Sequence, residues 1–234
     1  MRAPADITPL TYLDYPKKAA CILWYTGCNL RCPYCYNPEL VLGTRESGPG
    51  ADELAFLRER AGFLDAVVLS GGEATLIPNL PELCEKIRAL GYLLKIDTNG
   101  SNPDVLGELL ERKLLDYVAM DNKMPSTRSW KLPGGARLFD RFSESLEKLQ
   151  ASGIPYEVRT TVHPGLLDEA DILQMVRECH ERGYGGTYYL QFFFNTGKTL
   201  GNMEPPTRRY DRGMLDKFSP LPIGYRNFPE DRGR

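Results

Sequence analysis

From residue 66 onward the chain repeats one pattern: a short apolar run, a longer stretch of helical periodicity, then another apolar run. The apolar runs fall at 66–69, 93–98, 117–121, 156–162 and 187–194, and a sixth precedes them at 19–26. Between them, 52–62, 80–90, 103–113, 138–152 and 169–182 carry apolar residues at helical spacing. Short strands alternating with helices build βαβ units, and βαβ units build parallel sheets. Six such strands are fewer than the eight that close a barrel. The expected fold class is therefore α/β, a partial, open (β/α)6 TIM-like barrel over residues 1–200. Residues 123–135, rich in Pro, Gly, Ser and Thr, read as a loop. Residues 201–234 read as a C-terminal extension, either extended or wrapped on the barrel through Leu215, Phe218, Leu221 and Tyr225.

Composition removes several classes of function. At 234 residues the chain is long enough for one sizeable core. A net charge of −2 gives no basic footprint for nucleic acid. No apolar run is long enough to span a bilayer, and Met1-Arg2-Ala3-Pro4 lacks a signal-peptide core. The expected address is the cytoplasm. Six cysteines are too few for a disulfide scaffold in a chain of this size, which directs attention to metal binding or catalysis.

Three of those cysteines stand together in Cys28-Asn29-Leu30-Arg31-Cys32-Pro33-Tyr34-Cys35, just past the first apolar run. Short-spaced thiolates of this kind hold iron–sulfur clusters. Three ligands on a four-iron cluster leave one iron open, and an open position is where a substrate or cofactor binds. A zinc site is the alternative. It needs a fourth ligand, and Cys21, seven residues upstream on an extended chain, reaches it only by a fold-back. Cys21, Cys84 and Cys179 read as small buried hydrophobes.

The other polar motifs fall at the C-terminal ends of the expected strands, the face on which such barrels build active sites. Gly71-Gly72-Glu73 ends the second strand, where glycines admit a close ligand and a carboxylate can accept from an ammonium. Asp97-Thr98-Asn99-Gly100 ends the third; an Asn-Gly turn is the plainer explanation. Asp121 and Lys123 end the fourth, and alternation puts both on one face, as an ion pair or as pocket residues. Arg159 lies within the apolar fifth strand and needs a partner, either a ligand or Asp121 or Glu157. His163 and Gln191 are further pocket candidates on the fifth and sixth strands, and His180 reads as a surface residue.

Cys-x3-Cys-x2-Cys with Tyr34 before the last cysteine resembles the radical S-adenosylmethionine (SAM) superfamily. With Leu13-Asp14-Tyr15-Pro16, Thr26-Gly27-Cys28-Asn29 and Asn37-Pro38-Glu39-Leu40, it resembles more closely the activating proteins of anaerobic ribonucleotide reductase and the glycyl-radical-enzyme activases. Tyr36 stands where those activases usually carry His, Lys17-Lys18 where they carry Gly-Lys, and Ala74-Thr75 where Pro-Thr is usual.

The resemblance implies a [4Fe-4S] cluster on Cys28, Cys32 and Cys35, and SAM in a pocket taking in Tyr34, Tyr36, Gly71, Gly72, Glu73, Asp97, Thr98, Asn99, Asp121 and Lys123, to which the strand readings add Arg159, His163 and Gln191. Glu73 would hold the methionyl amino group, and Asp97 with Thr98 a monovalent cation. The implied activity is reductive cleavage of SAM to a 5′-deoxyadenosyl radical that abstracts hydrogen from a glycine of a partner enzyme. A flavodoxin- or ferredoxin-type protein would donate the electron. Trp130, in the 123–135 loop, is the candidate for docking that partner; packing as a cap on the barrel is its plainer role. A small-molecule or peptide substrate, and a non-catalytic metal-stapled binding module, are the rival readings.

Overall fold

The computed structural model describes residues 3–45 and 52–229. Its sheet has eight strands in chain order: β1 (Asp6–Thr11), β2 (Ala20–Tyr25), β3 (Ala66–Gly71), β4 (Leu93–Thr98), β5 (Tyr117–Asp121), β6 (Tyr156–Val162), β7 (Tyr188–Phe192) and β8 (Ile223–Arg226). Strand β1 runs antiparallel to β2, and β2 to β8 are all parallel. Because β1 and β8 each pair on one side only, the barrel stays open between them. Helices α1 (Pro38–Leu42), α2 (Glu53–Glu59), α3 (Leu80–Ala89), α4 (Pro103–Glu111), α5 (Leu138–Ser152), α6 (Glu169–Glu181) and α7 (Arg212–Phe218) and two 3-10 turns, Ala74–Leu76 and Ser129–Lys131, complete the described elements.

Each parallel strand sorts its side chains by alternation. Cys21, Leu23 and Tyr25 of β2, Val67 and Leu69 of β3, and Leu94 and Ile96 of β4 join the helices in one core with Leu83, Ile87, Leu109, Leu146 and Val176. The opposite set faces the barrel interior. At its base Tyr15, Ala20, Ile22, Ala66 and Val68 make a small apolar plug. Above the plug the interior turns polar, with Lys95, Asp97, Asp121, Glu157 and Arg159 all largely withdrawn from water. Cys21, Cys84 and Cys179 are buried free thiols.

Two strands go beyond the six that the sequence pattern reveals. β1 and β8 lie at the two edges, and β8 comes from the C-terminal segment. Tyr210, Leu215, Leu221 and Phe228 of that segment are buried in the main core, and Tyr225 packs against it. Phe228 meets Phe192 at 5.2 Å and Tyr225 at 4.9 Å between ring centroids. Phe218, expected as an anchor, is 55% exposed on α7 instead. Among the described residues no helix is long and apolar enough to cross a membrane.

Candidate active site

The cysteine loop begins where β2 ends, and several distant segments hold it. Backbone hydrogen bonds run from Gly72 N to Tyr25 O (2.9 Å) and from Glu73 N to Gly27 O (2.8 Å). A Cβ on Gly71 would stand 2.1 Å from Tyr25 O, and one on Gly72 would stand 1.9 Å from Gly27 O. These glycines therefore let the end of β3 approach the chain that leads into the cysteines. On another side Arg31 N donates to Pro133 O (3.1 Å). From above, Leu200 N donates to Cys35 O (2.9 Å) and Gly201 N to Pro33 O (2.8 Å). Asn29 donates to Ser101 Oγ (2.7 Å) and accepts from Asn99 Nδ2 (3.0 Å), tying the loop to the end of β4.

Glu73 is buried and its carboxylate is well supplied with donors. Thr75 N (3.1 Å), Thr75 Oγ1 (2.7 Å), Thr98 Oγ1 (2.5 Å) and Asn99 N (2.7 Å) all donate to it. It caps the short 3-10 turn Ala74–Leu76 and joins the ends of β3 and β4. No positive protein group pairs with it among the described ion pairs, and burial raises its pKa against the pull of those donors.

The pocket floor is ionic. Arg159 Nε donates to Asp121 Oδ1 (2.7 Å), its Nη2 lies 3.2 Å from Asp97 Oδ2, and Lys123 lies 3.3 Å from Asp121. Lys95 donates to Asp97 from below (2.6 Å), and Ser70 Oγ does so at 3.1 Å. Burial pushes both aspartates up, but Arg159, with Lys95 at Asp97 and Lys123 at Asp121, outweighs it and holds them below the usual carboxylate range. Asp97 is thus satisfied by two protein cations, and the Thr98 hydroxyl is donated to Glu73.

One pocket gathers these pieces. Cys28, Cys32, Cys35, Tyr34, Tyr36, Gly71, Gly72, Glu73, Asp97, Thr98, Asn99, Asp121, Lys123, Arg159 and Gln191 all line it. Two candidates do not. His163 is buried outside it: Nδ1 accepts from Gly165 N (3.0 Å), so Nε2 carries the proton and donates to Glu204 O (3.0 Å), while the ring meets Phe193 edge-on. It braces the segment that covers the cysteine loop. Trp130 is 67% exposed, with its Nε1 donating to Thr127 O and Lys131 over its ring; it does not cap the barrel. Asp14, Trp24, Ser70 and Thr161 line the pocket unanticipated. Lys95, a charge inside an apolar run as Arg159 is, was a further cue to the polar interior below them.

The donor set suits a cluster better than a single ion. Cys21, the fourth ligand that a zinc site would need, packs in the helix-side core, while three thiolates suffice for a four-iron cluster with one open iron. The three thiols instead share the wall of a larger pocket. Burial raises Cys28 to about 11 and lifts Cys32, with Lys123 opposing the shift at both. The buried Tyr34 hydroxyl stands beside Cys32 and Lys123.

Residues 22–179 match the Radical SAM superfamily. The chain belongs to that superfamily. This radical SAM protein is 34% identical over 183 residues to a provisionally named glycyl-radical enzyme activating enzyme of Methanocaldococcus jannaschii, covering 75% of each chain. It is 30% identical over 144 residues to the PqqA peptide cyclase of Streptomyces rochei, covering 60% of this chain but 39% of the cyclase. Its fold is similar to that of Streptococcus suis SuiB bound to precursor peptide SuiA, with a TM-score of 0.67 and 17% identity over 89% of this chain and 48% of SuiB.

Proposed function

We propose that this radical SAM protein installs a glycyl radical on a partner enzyme. The observation that carries the reading is the 34% identity to the Methanocaldococcus protein over three quarters of both chains. The peptide cyclase matches over only 39% of its own length. Cys28, Cys32 and Cys35 would hold a [4Fe-4S] cluster, which with SAM and one electron from a flavodoxin- or ferredoxin-type donor supplies a 5′-deoxyadenosyl radical.

The residues of this chain then have definable tasks. Glu73, buried without a protein cation, offers a negative site for the SAM ammonium while its four donors fix its carboxylate in place. Arg159 and Lys123 supply positive charge at the floor, suited to a carboxylate or ribose hydroxyls, and Asp97 and Asp121 hold them there. Tyr34 and the strap over Cys35 keep water from the thiolates, and low local polarity strengthens every charge contact inside. The open seam between β1 and β8 leaves a way in for a protein loop.

The test is anaerobic incubation of reconstituted protein with dithionite, SAM and the catalytic subunit of an anaerobic ribonucleotide reductase. The expected result is a glycyl-radical doublet by electron paramagnetic resonance, with 5′-deoxyadenosine formed in proportion. SAM cleavage with no radical on that subunit, coupled instead to modification of a peptide, would establish the peptide reading that the cyclase similarity favours.

A further inference from the structure

Beneath the pocket floor lies a second ionic tier that the reaction reading leaves unused. Glu157, on β6 two residues before Arg159, is nearly buried, and its Oε1 lies 3.8 Å from Arg159 Nη1. A buried carboxylate so placed competes with Asp97 and Asp121 for the arginine. It does not win, because Arg226 on β8 occupies it. Arg226 Nη1 and Nη2 donate to Glu157 Oε1 and Oε2, both at 2.8 Å, a two-pronged pair with little geometric slack. The Tyr117 hydroxyl adds a weaker bond at 3.3 Å.

The arginine reaches Glu157 across an intervening strand, and the sequence is arranged for that reach. Tyr189 of β7 lies between, opposite Arg159 on one side and Gly224 on the other. The Arg226 guanidinium stacks on the Tyr189 ring at 3.8 Å from its centroid. A Cβ on Gly224 would stand 2.5 Å from Tyr189 Cδ1, so only glycine leaves room for the ring that supports Arg226.

We infer that Arg226 is a positioning residue for SAM binding: by occupying Glu157 it leaves Arg159 committed to the pocket floor. The C-terminal strand thus acts on a site it does not line. This rests on the reading of Arg159 as a SAM contact, and the experiment separates the two.

The measurement is the SAM dissociation constant of cluster-loaded, unreduced protein, which binds without turning over, alongside the thermal midpoint and iron content. Arg226→Gln should weaken SAM binding about tenfold with iron content retained, since an unpaired buried carboxylate recruits Arg159. Adding Glu157→Gln removes the competitor and should restore affinity to within about twofold of the starting protein. Gly224→Ala, which displaces Tyr189, should weaken binding in the same direction. A merely structural Arg226 would lower the thermal midpoint and leave SAM affinity unchanged, which overturns the inference. So does a double variant no better than Arg226→Gln alone. If Arg159→Gln binds SAM as the starting protein does, the assignment of Arg159 to the pocket fails first. If Arg159→Gln is weakened and Arg226→Gln is not, only the role of Arg226 fails.

Discussion

Gly134→Ala tests how the cysteine loop is held. Gly134 has φ of 86°, and a Cβ there would stand 2.0 Å from Asn29 O, a separation that real Cβ atoms do not reach. The left-handed backbone costs an alanine about 1–2 kcal/mol. The clash is then met in one of two ways. Either the contact persists as overpacking, at about 1–3 kcal/mol, or the segments part and break the Arg31–Pro133 bond, at about 0.5–1.5 kcal/mol. The cheaper route sets the total at about 1.5–3.5 kcal/mol. Gly62→Ala is the control, because Gly62 has φ of 84° and nothing within 4 Å of its would-be Cβ. It carries only the backbone term, about 1–2 kcal/mol. Denaturant unfolding of the iron-free protein should show the difference, and alkylation of Cys28, Cys32 and Cys35 should quicken in Gly134→Ala alone. Equal stability losses and equal alkylation rates in the two variants would refute the clamp.

Cys32→Ser should abolish iron incorporation while Cys84→Ser leaves it intact, as read by anaerobic iron analysis; normal iron in Cys32→Ser sinks the ligand assignment. Glu73→Ala should weaken SAM binding by about 1.5–3 kcal/mol, the worth of a charge-assisted hydrogen bond, with iron retained; unchanged affinity reduces the motif to a turn. Asp97 and Asp121 have folded pKa values below their unfolded ones, so their stabilisation is complete above about pH 4 and drains away as pH falls further. The iron-free protein should therefore lose stability steeply below that pH, Asp97→Asn should show a shallower acid limb, and an identical limb would contradict the network. Trp130→Ala, at an exposed site, should leave the thermal midpoint and SAM cleavage unchanged while suppressing glycyl-radical yield; undiminished yield removes its docking role.

The strands that could be read in the sequence are those buried on both faces. Ala66-Val67-Val68-Leu69 and its counterparts announce themselves because helices cover one side and the barrel interior the other. β1, Asp6-Ile7-Thr8-Pro9-Leu10-Thr11, is an edge strand carrying a proline, with all but one side chain exposed or half-exposed, so its alternation is weak. β8 is four residues long, with glycine and arginine facing inward for the reasons given above. The strand-end motifs could be located because they interrupt apolar runs with charge or glycine. His163 does so too, but it sits just past β6 and turns toward Glu204 rather than inward. No periodicity distinguishes those two directions past a strand end. The roles of Gly134 and Gly201 were equally hidden, since what they touch lies a hundred residues or more away in the chain.

Sheet order and chain order coincide from β1 to β8. During synthesis, every new strand therefore emerges next to a partner already made, and no strand waits at an open edge for a later insertion. The cysteine loop is the exception to this orderly growth. It is made early, yet the residues that hold it, 133–134 and 200–201, follow about one hundred and one hundred seventy residues later. A ribosome adding about 5–20 residues per second leaves the three thiols without that strap for roughly ten seconds or more. Cluster delivery thus has a natural interval before the strap closes, and nascent chains halted before residue 200 should show those thiols still open to alkylation.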